Sequence, residues 1–256
     1  MNRIESLFQA KKQNILNVYC TAGYPLIDST VPVMQALQEN GADMIELGIP
    51  YSDPLADGPV IQQSNTVALG NGMSIEKLFA QLQGFRHQVY LPVLLMGYMN
   101  PVLQYGFERF CQHAADVAVD GLILPDLPMY EFETEYGPYI SKYGLSFVFL
   151  VTPETSEQRI RKIDELGSGF IYAVSSSSTT GKDTNLSRLQ QYLERLKTMN
   201  LRNPVLVGFG IKDKQSFATA SRYVNGAIIG SAYIKALERA TDIKASTKQF
   251  LDAILK

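Results

Sequence analysis

Two carboxylates stand where proton transfer would need them. Glu46 lies in the apolar run Asp43-Met44-Ile45-Glu46-Leu47, and Asp57 follows eleven positions later, in Pro50-Tyr51-Ser52-Asp53-Pro54-Leu55-Ala56-Asp57-Gly58-Pro59. Successive side chains of a strand point to opposite faces. With Ile45 and Leu47 turned toward covering helices, Met44 and Glu46 face an interior. A carboxyl group there loses water and holds its proton more tightly, which suits general acid–base work. The competing reading is a structural Glu paired with a Lys or Arg. Asp57 is on the loop after the same strand, and two carboxylates in one pocket take different roles when their environments separate their proton affinities. Asp-Pro and Asp-Gly pairs also form ordinary turns, so Asp53 and Asp57 remain open to that reading.

Other polar residues gather at the ends of apolar runs. Asp126 ends a fourth run, as a functional acid or as a cap for a helix near 130. Tyr98 and Asn100 follow the third run and Tyr172 lies within the sixth, each equally open to a packing role. Gly208-Phe209-Gly210 and Gly230-Ser231 follow the seventh and eighth runs, the second pair opening a helix. Glycines let backbone N–H groups approach an anion, and a helix N-terminus adds free donors and positive potential, so phosphate binding is expected there. Residues 175–185, Ser-Ser-Ser-Ser-Thr-Thr-Gly-Lys-Asp-Thr-Asn, have no aliphatic anchor and suit a mobile lid.

The elements that position these residues repeat. Short apolar runs occur at 15–20, 43–47, 91–96, 120–125, 145–150, 168–174, 204–209 and 225–230. Helix-like segments at 28–40, 75–87, 107–116, 156–166, 187–198 and 213–222 alternate with them. A repeat of roughly 25–30 residues suits a strand plus a crossover helix. Eight such units predict a (β/α)8 barrel, one domain over 1–256, with extra helices at 2–12, capping the barrel bottom, and at 244–255. A doubly wound open sheet is the alternative, but no G-x-G-x-x-G follows the first run. Barrel chemistry collects at the C-terminal ends of the strands, where Glu46, Asp57 and the glycine pairs fall.

Composition narrows the partners. The 256 residues carry 23 Lys plus Arg against 25 Asp plus Glu, a formal net charge of −2. That balance gives no electrostatic reason for nucleic acid or an anionic membrane. Cys20 and Cys111 form neither a disulfide framework nor a metal cluster, and two histidines leave little for a metal site. The start lacks the apolar run of a signal peptide, so a reducing, cytoplasmic setting is expected. Residues 88–107 lack charge over about the length of a membrane span, but Pro92, Pro101, Asn100 and Gln104 interrupt them, and a buried strand running into a helix start is expected.

The segment Glu46-Leu47-Gly48-Ile49-Pro50-Tyr51-Ser52-Asp53-Pro54-Leu55-Ala56-Asp57-Gly58-Pro59 closely resembles the signature of the tryptophan synthase alpha subunit family. Glu5-Ser6-Leu7-Phe8, Thr21-Ala22-Gly23-Tyr24-Pro25, Gly208-Phe209-Gly210-Ile211 and Gly230-Ser231-Ala232 match in order and spacing, so the resemblance covers essentially the whole chain. It implies a (β/α)8 TIM barrel, a lyase that cleaves indole-3-glycerol phosphate to indole and glyceraldehyde 3-phosphate for tryptophan biosynthesis. It also implies no cofactor or metal on this chain, and a pyridoxal-phosphate-dependent beta subunit as partner in an alpha-beta-beta-alpha heterotetramer. Carried over by position, Glu46 and Asp57 are catalytic. Tyr172 lines the indole site, with Tyr19 and Tyr98 also at the substrate. Gly181, Gly210, Gly230 and Ser231 surround the phosphate, and Thr180 is a lid residue that meets Asp57. Asp53, Pro54, Asn100 and Pro128 face the beta subunit. Two departures stand out: Ser178-Thr179 replace the family's usual Gly-Val in the lid, and Tyr19 replaces a frequent Phe, adding a hydroxyl that needs a partner. Rival readings are another phosphate-binding barrel enzyme, which would need Mg2+, and a non-catalytic alpha-like subunit.

Overall fold

A computed structural model of the chain describes residues 2–174, 182–208 and 210–256, without the side chains of 182–187. Its strands are β1 Ile15–Thr21, β2 Met44–Gly48, β3 Val93–Met96, β4 Gly121–Ile123, β5 in two pieces, Ser146–Phe147 and Leu150–Val151, β6 Ile171–Val174, β7 Val205–Gly208 and β8 Gly226–Ile229. All pair in parallel, and the two edges of the sheet are the two pieces of β5. Ser146 pairs with Gly121 on one side and Leu150 with Tyr172 on the other. The switch falls at Val148 and Phe149: Val148 N donates to Leu122 O and Phe149 O accepts from Tyr172 N, each at 3.0 Å. One bent strand thus closes the sheet into the expected barrel.

The strands form as they do because they are apolar on both faces, as parallel strands under helices must be. Outward residues such as Val18, Ile45, Leu47 and Leu95 join a core under the helices, while Ile15, Met44, Leu94, Ile123, Val148, Phe170, Leu206 and Ile228 fill the barrel's lower interior. The inward placement of Met44 and outward placement of Ile45 and Leu47 follow the predicted alternation. Residues 88–107 form β3 and then the helix Met99–Tyr105, again as expected. The segment 75–87 is not one helix: it stops at Gln81, turns at Gly84 with φ +71, and ends in the 3-10 turn Phe85–His87.

The terminal helices are Arg3–Ala10 and Ile243–Leu255. The first plugs the barrel bottom. Asn2 caps it and also donates to Asp120 O at 3.1 Å and Ser146 Oγ at 2.8 Å. Arg3 and Arg86 pair with the buried Asp120 carboxylate, which also accepts from Val93 N at 2.8 Å. Ile4, fully buried, drops into the lower interior. Ile4→Ala is expected to destabilise the fold by about 2–4 kcal/mol through lost burial plus a cavity, read as a lower urea midpoint, with little change in the specific activity of the folded protein because the site lies at the opposite end.

Candidate active site

The upper interior begins where the apolar layer stops. Asn17 on β1 and Glu46 on β2 are both fully buried, and Asn17 Nδ2 donates to Glu46 Oε1 at 2.6 Å. Glu46 makes no ion pair among the described residues, which decides against the paired structural Glu. Its second oxygen, Oε2, has no hydrogen-bond partner among them either. Burial pushes its carboxyl up to about 8, against the pull of the Asn17 amide.

Asp57 arrives from the loop that follows β2. Its N–H donates to Pro54 O at 3.0 Å, so the turn reading is correct for the backbone. The side chain nevertheless enters the site. Burial raises its carboxyl to about 6, while hydrogen bonds from Tyr98 and Asn65 hold it from rising further. Turn and functional placement coexist because the turn uses backbone groups and leaves the carboxylate free.

Each support has a local cause. The helix Pro59–Gly70 carries the buried Ser64 and Asn65, and Ser64 bonds Thr21 Oγ1 at 2.7 Å, tying the helix to β1. This helix is not among the predicted segments. Its sequence signal is Gly58-Pro59, since proline is pre-organised for the first helical position. Tyr98 Oη accepts from Ala56 N at 3.0 Å and Asn100 Nδ2 donates to Tyr51 Oη at 3.0 Å, so both pin the loop that carries Asp57. Asp126 caps neither its own loop nor a helix near 130. Both its oxygens accept from Met99 N at 3.0 Å, holding the start of the helix Met99–Tyr105.

Tyr19 and Tyr172 wall the pocket by lying against glycine backbone. A Cβ on Gly48 would overlap the Tyr19 hydroxyl, and one on Gly208 would come within 2.6 Å of the Tyr172 ring. The Tyr19 hydroxyl has a weak partner, Thr21 Oγ1 at 3.4 Å. Burial raises the proton affinity of the Tyr172 phenol, and the neighbouring Glu46 and Asp57 carboxyls add to it. Tyr19, Glu46 and Asp57 thus all lie near enough to Tyr172 to act on its phenol.

From Tyr172 a cavity of about 430 Å³ runs past Gly208, Gly210, Ile61, Gly230 and Ser231. The helix Ser231–Glu238 starts at its edge with Gly230 as N-cap. Lys212 and Lys235 also line it, and sequence reasoning missed both because a lone exposed Lys looks like any surface Lys. The described chain carries no group of three or more His, Cys, Asp or Glu able to hold a metal ion. Of the residues assigned to the partner face, Asp53, Asn100 and Pro128 are exposed, whereas Pro54 is buried. Leu55 and Tyr130 beside them are exposed apolar residues, at 95% and 74%. Thr180 and Gly181, with the proposed lid over 175–181, lie outside the described residues, whereas 182–185, expected as the rest of that lid loop, form the first turn of the helix Lys182–Thr198.

Comparison with known proteins points to one family. A family model described as the tryptophan synthase alpha chain matches residues 6–254. The tryptophan synthase alpha chain of Flavobacterium johnsoniae is 52% identical over 94% of this chain and 95% of its own length, and that of Parabacteroides distasonis is 48% identical over 99% of each. Among solved structures, tryptophan synthase subunit alpha from Legionella pneumophila superposes with a TM-score of 0.89 at 35% identity, covering 99% of this chain and 97% of that one. A chain of tryptophan synthase from M. tuberculosis in its aminoacrylate-bound form gives 0.86 at 30% identity, over 99% and 100%. The chain belongs to the tryptophan synthase alpha chain family.

Proposed function

We propose that Glu46 and Asp57 carry the alpha reaction in this chain, Glu46 by moving protons and Asp57 by holding charge. The family's reaction is the retro-aldol cleavage of indole-3-glycerol phosphate to indole and glyceraldehyde 3-phosphate, a carbon–carbon lyase step. Its product indole passes to the beta subunit, the partner in the tetrameric synthase. Pyridoxal phosphate belongs to that partner, and nothing on this chain is assigned to hold it. A cytoplasmic setting suits Cys20 and Cys111, both buried free thiols, and no helix among the described residues is long and apolar enough to cross a membrane.

The observation that carries the reading is a fully buried carboxylic acid, Glu46, and a second carboxyl of lower proton affinity, Asp57, both near enough to Tyr172 to act on its phenol. At neutral pH Glu46 holds its proton and Asp57 is largely ionised. Glu46 delivers its proton to indole C3, which leaves an indolenine with a cationic nitrogen. Asp57 accepts the ring N–H and stabilises that charge, an effect worth about 3–4 kcal/mol for a preorganised group. The bond from C3 to the glyceryl carbon then breaks. Its electron pair restores the aromatic ring, the C3 proton stays on indole, and the glyceryl hydroxyl proton returns to the Glu46 carboxylate as the aldehyde forms. Tyr19 and Tyr172 exclude water from the ring site. Measuring indole release from indole-3-glycerol phosphate, with and without beta subunit, tests the reading. No release in either condition rejects it.

The phosphate is assigned to Gly210, Gly230 and Ser231, which line the cavity where the helix Ser231–Glu238 starts, since a helix N-terminus offers free donors to an anion. Thr180 and Gly181 are kept as proposed lid contacts. A Cβ at Gly210 would meet nothing within 4 Å, so the space there is open to a ligand. Gly210→Val is therefore expected to raise the dissociation constant for glycerol phosphate at least about tenfold, both by filling that space and by straining the loop, because a β-branched residue is disfavoured at the left-handed φ of +41. Calorimetry with unchanged affinity would place the phosphate elsewhere.

A further inference from the structure

Glu46 has a buried companion with no packing reason to be polar. Asn17 occupies an interior position of β1 between Ile15 and Tyr19, fully buried. Its Nδ2 donates to Glu46 Oε1, yet its own Oδ1 has no partner among the described residues, and neither has Glu46 Oε2. A buried polar atom left unpaired costs free energy, so an apolar residue would suit the fold better here. We propose that Asn17 is a positioning residue for the proton transfers: its amide holds Oε1 as a permanent acceptor and leaves Oε2 as the oxygen that gives the proton to substrate and takes it back. The inference rests on Glu46 being the acid–base group.

The chemistry follows from what an amide N–H can do. It donates only, so the oxygen it faces accepts in both protonation states: as the carbonyl-like oxygen of the acid, and as one end of the carboxylate. The proton is thereby directed to Oε2, which is the atom left unpartnered. Without the amide, the terminal torsion of a Glu is broad and nearly two-fold. Either oxygen could then carry the proton, and the carboxyl plane would wander. The titratable groups beside Glu46 are Tyr19, its register partner on β1, Cys20 next to it, and Tyr172 on β6, with Asp57 beyond them against Tyr19 and Tyr172. None is a cation. The Asn17 bond is what favours the ionised form against desolvation, so losing it raises the proton affinity of Glu46.

Asn17→Leu keeps the branched four-atom skeleton, at somewhat larger volume, and removes the donor. Assembled with beta subunit, this variant is expected to lose about tenfold to a hundredfold in kcat, the scale of a misplaced catalytic group. Its KM should hold, and the alkaline limb of its pH profile should move to higher pH. Infrared titration of the Glu46 carboxyl in the free subunit should move the same way. Wild-type kcat, or a fall in kcat with the limb and the infrared titration unmoved, overturns the proposal. If Asn17→Leu does not fold, the wild-type protein still decides. The Asn17 side-chain amide resonances should follow the Glu46 titration and lose that dependence in Glu46→Gln, and resonances indifferent to pH overturn the idea. A fully active Glu46→Gln would instead reject the acid–base assignment itself, whatever Asn17 does.

Discussion

Glu46→Gln is expected to lower the rate of indole release at least about a hundredfold while the barrel stays folded, the scale expected for losing a general acid–base group. Gln matches the volume of Glu46 and can still accept from Asn17 Nδ2, which now lies 2.6 Å from Oε1. It introduces no charge into a fully buried site. What it cannot do is hand a proton to indole C3 or collect the one from the glyceryl hydroxyl. Both halves of the cleavage fail together, so kcat should fall while affinity for glycerol phosphate is kept, because the glycines proposed to hold the phosphate follow β7 and β8 rather than β2. Circular dichroism and the urea midpoint should match wild type. A rate within about tenfold of wild type, measured on folded protein, would reject Glu46 as the acid.

Asp57→Asn is expected to cost about 10²–10³ in kcat, the loss typical of removing one preorganised electrostatic partner. The amide keeps the shape and the contacts with Tyr98 and Asn65, but it cannot stabilise the cationic ring nitrogen. The pH profile gives an independent reading. Asp57 works ionised, so activity is present above its value of about 6 and is lost as pH falls through it. Glu46 works protonated, so activity is present below about 8 and is lost as pH rises through it. The free-enzyme profile of kcat/KM should be a bell with limbs near those two values. In Asp57→Asn the acid limb should disappear and the alkaline limb should stay. A profile that keeps both limbs in the variant would mean that another group titrates near 6.

Much of this site was legible residue by residue. Alternation along Met44-Ile45-Glu46-Leu47 was enough to turn Glu46 inward, because a one-residue slip would have put every apolar partner on the wrong face. The glycines after β7 and β8 were legible as a pair of adjacent loops, and Gly208, Gly210 and Gly230 do line one cavity. Asn17 was not. Within the run Ile15-Leu16-Asn17-Val18-Tyr19-Cys20 a single polar residue carries no pattern, and its meaning lies in Glu46, which is 29 positions away and adjacent only across the sheet. Asn65 was hidden for the same reason: it matters through Asp57, and the helix that carries it announces itself only by Gly58-Pro59. Asp126 shows the opposite failure. It read equally as a functional acid or as a local cap, and its partner is Met99, on a different unit of the barrel.

The sequence by itself determined the repeat of strand and helix, the closed parallel barrel that such a repeat favours, the family, and the two carboxylates at the mouth of β2. Those properties are written in periodicity and in a contiguous signature, both of which are local. Only the tertiary structure decided how β5 divides to close the sheet, that Asn17 rather than a Lys or Arg meets Glu46, and that Tyr98 and Asn65 hold Asp57. It also decided that burial raises the two carboxyls unequally, Glu46 to about 8 and Asp57 to about 6. Proton affinity depends on desolvation and on partners brought together across strands, and no spacing along the chain encodes how much water a folded pocket excludes.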